Sequence, residues 1–118
     1  MKTKHQIIDE TVAYYSEDTK RRAVTGQSCH YFQKETGNMC AVGRCANDPQ
    51  KLDGSCYFKT LSAKLSDEEI FKPEYRGHSV EFWSDLQFLH DENSHWDEKG
   101  LTPEGKEYVK NLKENYHD

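Results

Sequence analysis

The chain has 118 residues, 34% apolar, 31% charged and 12% aromatic. It is sized for a single domain over 1–118 whose core is carried by rings, since disordered chains of this polarity lack such aromatics. The net charge of −5 is uneven: residues 1–60 hold 9 Lys+Arg against 7 Asp+Glu, or +2, and residues 61–118 hold 7 against 14, or −7. That excludes a generic duplex nucleic-acid face, because phosphate neutralisation needs a basic stripe longer than Lys20-Arg21-Arg22. No apolar run nears the roughly 20 residues of a membrane span, and MKTKHQIIDE has acids where a signal peptide is apolar. The expectation is a soluble, cytoplasmic protein with no membrane partner.

In chain order, Thr3 followed by Gln6 is a capping box, and Ile7, Ile8, Val12 and Tyr15 recur at helical spacing, predicting a first helix with one buried face. Glu17 and Asp18 oppose the helix dipole and mark its end, before a loop over TKRRAVTGQS. CHYFQ and MCAVG flank KETGN, which predicts a β-hairpin around residues 29–43, and CYFKTL reads as a third strand. Ser66 and Glu69 open a short helix that Pro73 ends. The strongest helical pattern is HSVEFWSDLQFLHDE, with Ser79 as cap, Val80, Trp83, Leu86 and Leu89 or His90 in one stripe, and Phe82 beside it. A last helix starts at Thr102-Pro103, with Tyr108, Val109, Leu112 and Tyr116 facing inward. The fold class is α+β: a small antiparallel sheet packed against three to four helices.

All four cysteines, Cys29, Cys40, Cys45 and Cys56, fall between residues 29 and 56. A reducing compartment keeps them as thiols. A hairpin turning at Thr36-Gly37 places Cys29 opposite Arg44 and separates Cys29 from Cys40 by roughly 13 Å along one sheet face, too far for a disulfide. Four thiolates can form a tetrahedral zinc site, although the intervals of 11, 5 and 11 residues lack the tight knuckles of structural zinc sites. Cys29 or Cys40 with His90 as base, oriented by Gln87 or Asp91, has the residue types of thiol catalysis. Gln87 and His90, at i and i+3, share a helix face, whereas Asp91 diverges from His90 by about 100°. Against these stand simpler readings: cysteines as small buried hydrophobes, and His90 satisfying the carbonyls of a helix end. HDENSHWDE, with two histidines and four carboxylates, reads as a solvated loop with Trp96 tucked inward.

The blocks CHYF, CAVGRC and DLQFLHD followed by HW resemble, over residues 24–101, a group of short tailed-bacteriophage proteins with Cys-x-Tyr, Cys-Ala-Val/Ile-Gly and Leu-Gln-x-x-His-Asp signatures. The resemblance implies a phage origin and singles out Cys29, Tyr31, Gly37, Cys40, Ala41, Val42, Gly43, Leu86, Gln87, His90 and Asp91; no established activity comes with it. Members often lack counterparts of Cys45 or Cys56, a departure that weighs against a shared zinc cage. Three functions stay open. The first is an accessory protein binding a host macromolecule or small signalling molecule, with Tyr31, Arg44, Gln87, His90 and Asp91 as ligand-binding residues. The second is a small thiol- or metal-dependent hydrolase using Cys29 or Cys40 with His90, and the third a zinc-stabilised interaction module.

Overall fold

A computed structural model describes residues 1–22, 24–25, 28–29, 36–49, 52, 63 and 65–116, with 24–25 and 28–29 as backbone alone. Five α-helices lie among these residues: α1 Lys4–Glu17, α2 Ala41–Arg44, α3 Asp67–Ile70, α4 Val80–Asp91 and α5 Pro103–Asn115. Two antiparallel ribbons accompany them. β1 (Val24–Thr25) pairs with β2 (Ser28–Cys29), and β3 (Trp96–Asp97) pairs with β4 (Gly100–Leu101). The fold is α+β, and none of its described helices is long and apolar enough to cross a membrane.

The helix boundaries follow local chemistry. Thr3 and Gln6 form a reciprocal capping box at α1, as do Ser66 and Glu69 at α3. Ser79 caps α4 through the Phe82 amide, and Thr102 caps α5 through Gly105, with Pro103 in the first turn. Past Glu17 the chain turns at Asp18, then makes a 3₁₀ turn over Thr19–Arg21 and the strand β1 where the sequence predicts only loop.

The hairpin expected around residues 29–43 is corrected at its described ends. Cys29 pairs with Val24 rather than lying opposite Arg44, and residues 41–44 are helical. Cys40 has extended backbone angles, but it caps that helix rather than continuing a strand. The third strand expected at CYFKTL, like residues 30–35 of the hairpin, lies outside the described residues.

The core joins Ile7, Ile8 and Tyr15 of α1 to Ala41 and Val42 of α2, Phe82, Trp83, Leu86 and Leu89 of α4, Trp96 of β3 and Leu112 of α5. Phe71 stacks on Trp83, the ring planes 16° apart and the ring centres separated by 4.2 Å. The Phe71 segment is tied to the end of α2: the Asn47 amide donates to the Ile70 carbonyl at 2.9 Å and the Lys72 amide to the Cys45 carbonyl at 3.1 Å. Trp96 is buried, as expected, with its indole N–H donating to the Leu89 carbonyl at 2.8 Å.

α5 meets the turn before β3 at unusually close range. A Cβ on Gly105 would lie 2.3 Å from the His95 carbonyl oxygen and 2.7 Å from Leu101 Cδ2. The Thr102 amide donates to that same carbonyl at 2.8 Å, so the oxygen is held in place. Gly105→Ala is therefore expected to force α5 outward and to cost about 1–3 kcal/mol, as overpacking in a tight contact does. A lower urea midpoint with an unchanged m-value checks this, and an unaltered midpoint contradicts it.

Candidate functional site

The two blocks CAVG and LQFLHD meet in the interior. α2 is only four residues long, too short to hold itself, and its N-terminal amides are buried. Two side chains accept from them. Cys40 Sγ takes the Gly43 amide at 3.3 Å, and Gln87 Oε1, reaching across from α4, takes the Val42 amide at 3.1 Å. Cys40 is fully buried and Gln87 is 3% exposed. Burial pushes the Cys40 thiol up to about 12, with the Gly43 amide and the Gln87 side chain pulling weakly the other way. A neutral thiol used as a helix cap is the reverse of an activated nucleophile, which needs a depressed pKa. Cys45, at the other end of α2, is likewise buried and free, and burial pushes it to about 12.

His90, also fully buried, lies edge-on to Tyr15 with ring centres 5.0 Å apart. Its Nδ1 is 2.6 Å from Asp91 Oδ1. This overturns the expectation that Asp91 diverges from the imidazole. The 100° between neighbouring helical residues separates their Cβ directions, and two short side chains at the final turn bend back across it. Burial lowers the His90 pKa, while Asp91 raises it less. Nor is His90 the group that satisfies the end of α4. Arg22 does so, its Nε donating to the His90 carbonyl at 2.7 Å and its Nη2 to the Asp91 carbonyl and Asn93 Oδ1, both at 3.0 Å.

Arg44, expected at a ligand, is instead turned toward α1. Its Nη1 lies 3.3 Å from Glu10 Oε1 and its Nη2 donates to Thr11 Oγ1 at 3.2 Å. The Tyr75 hydroxyl donates to the same Glu10 oxygen at 2.8 Å, and Lys2 pairs with the other. Burial pushes the Glu10 carboxyl up, but the hydrogen bonds from Lys2 and Tyr75 and the Arg44 charge outweigh it and hold the group below the ordinary carboxylate value. With its side chain 11% exposed, Arg44 ties α1 to the turn that carries Tyr75. Arg44→Ala would thus strip a half-buried network rather than cleanly remove a ligand contact.

Of the residues expected to act, then, Cys40 and Gln87 meet at the start of α2, His90 and Asp91 pair at the end of α4, and Arg44 belongs to a separate cluster. Tyr31, Cys56 and the Cys29 side chain lie outside the described residues. Among the described residues no group of three or more His, Cys, Asp or Glu side chains is placed to hold a metal ion. Sequence reasoning missed the capping role of Cys40, because cysteine is not a usual cap and four residues show no period. It also missed the burial of His95, which stacks on Tyr108 with ring centres 4.8 Å apart. Comparison with protein-family models, curated proteins and solved structures finds no match to this chain.

Replacing Gln87 by Met leaves the Val42 amide buried without its acceptor, so a loss of about 1–3 kcal/mol is expected, together with faster hydrogen exchange at that amide. The His90 pKa lies below its unfolded value, so the unfolded chain binds the proton more readily. Stability tied to the neutral ring is complete above the unfolded pKa of about 6.5 and is lost as the pH falls from there through the lower folded pKa. Urea midpoints should drop on mild acidification, and His90→Gln should reduce that drop; an equal drop in the variant contradicts the assignment.

Proposed function

We propose that this chain is a phage-encoded accessory protein acting in the cytoplasm of the infected bacterial cell, and that it works by binding a host macromolecule rather than by catalysis. The phage origin rests on the resemblance of its CHYF, CAVG and LQFLHD blocks. The observation that carries the binding reading is the direction of the chemically suggestive groups. Cys40, Gln87 and His90 point into the core, where they cap, bridge and pack. The exposed members of the same helix are Glu81 and Phe88.

Between the two classes of target, the cations favour a macromolecule. The planar clamp that a guanidinium offers a small anion is engaged within the fold at three of the arginines. Arg21 donates to the Tyr14 carbonyl and pairs with Glu17, Arg22 holds the end of α4, and Arg44 is bound to Glu10 and Thr11.

Thiol accessibility tests the choice between binder and thiol enzyme. Treated with iodoacetamide at neutral pH, the native protein should leave Cys40 and Cys45 unmodified by peptide mass spectrometry, and both should label in urea. Rapid native labelling of Cys40 would restore the nucleophile and sink the non-catalytic reading.

A further inference from the structure

We infer that the outward face of α4, centred on Phe88, docks a basic protein segment that presents an apolar side chain among arginines or lysines; the inference rests on the binding reading above and names its partner chemistry. Phe88 is 48% exposed, and apart from Met1 it is the one exposed large hydrophobic side chain among the described residues. Every other aromatic and leucine of α4 is buried. Phe88 is also held: its ring centre lies 5.4 Å from that of Tyr108 and 5.5 Å from that of His95, and those two rings stack on each other. Tyr108 is fixed in turn by its hydroxyl, which donates to the Asp85 carbonyl at 2.9 Å. A ring ordered in advance loses little freedom when a partner covers it, the condition under which an aromatic side chain anchors an interface.

The charges that α4 itself sets around that ring carry one sign. At 100° per residue, Glu81, Asp85 and the capping Glu92 fall within about 60° of Phe88 around α4, while Asp91 is turned back to His90. The helix itself contains no lysine or arginine. On α5, Glu104 and Glu107 lie on the outer side of Tyr108, while Lys106 and Lys110 fall about half a turn away. Arg22, which reaches the end of α4, is occupied by the carbonyls there. An apolar ring inside a field of carboxylates selects a partner that pairs a hydrophobic contact with positive charge, which also stacks favourably on Phe88 and Tyr108. A second copy docking through the same face would bring carboxylates against carboxylates, and nucleic acid would be repelled.

The test is fluorescence anisotropy of the full chain with a fluorescein-labelled amphipathic peptide built from arginine and leucine, beside a second peptide with serine in place of leucine. Wild type should prefer the arginine and leucine peptide by about tenfold, and Phe88→Ser should abolish that preference. Glu81→Lys combined with Glu107→Lys, both exposed positions, should weaken binding of both peptides. Equal binding by wild type and Phe88→Ser overturns the inference. So does a concentration-dependent dimer in sedimentation that Phe88→Ser removes, since the face would then serve a second copy. A host protein retained equally by wild type and Phe88→Ser would sink this face but leave the binding reading standing, whereas native labelling of Cys40 strikes that reading alone.

Discussion

The arrangement depends on finding acceptors for the buried amides at the start of α2. A four-residue helix has no cooperative stability of its own, and its first N–H groups cannot be left unpaired in an apolar interior. Gln87 Oε1 and Cys40 Sγ meet that demand for Val42 and Gly43, and the Arg44 amide closes on the Cys40 carbonyl at 2.9 Å. Each bond is worth only about 1 kcal/mol net, but losing either acceptor exposes the larger cost of an unsatisfied buried donor. Once α2 is docked on α4, Arg44 is delivered to Glu10 and Thr11, and the segment after α2 reaches the Ile70–Lys72 chain. A small helix held from outside thus connects α1, α3 and α4.

The same logic explains why residues that look catalytic are chemically quiet. Reactivity at a thiol or imidazole needs a charged form stabilised by its surroundings, and complete burial works against charge at both Cys40 and His90. Polar groups placed between packed elements serve here to make one docking geometry satisfy every donor. α4 consequently has two faces of opposite character: inward, rings and leucines with one carboxamide and one imidazole; outward, carboxylates around a single phenylalanine.

What the sequence by itself determined is the set of helix ends and buried stripes. Thr3, Ser66, Ser79 and Thr102 announce their helices because a capping side chain and the amides it serves are within three residues of each other. The inward positions of α1 and α4 are legible for the same local reason, a 3.6-residue period, although Thr11 and Gln87 take buried places that hydrophobicity does not mark. Gln87 and His90 both take the inward face of α4, as their i and i+3 spacing implies. Only the tertiary structure decided that the residues after Cys40 are helical and not a strand, that Arg22 rather than His90 closes α4, and that Arg44 turns inward. In each of these the deciding partner lies far away in the chain: Gln87 for Val42, the His90 and Asp91 carbonyls for Arg22, Glu10 and Thr11 for Arg44. Short segments with no period of their own take the conformation that leaves their buried amides and charges satisfied, and that depends on contacts no local stretch of sequence contains.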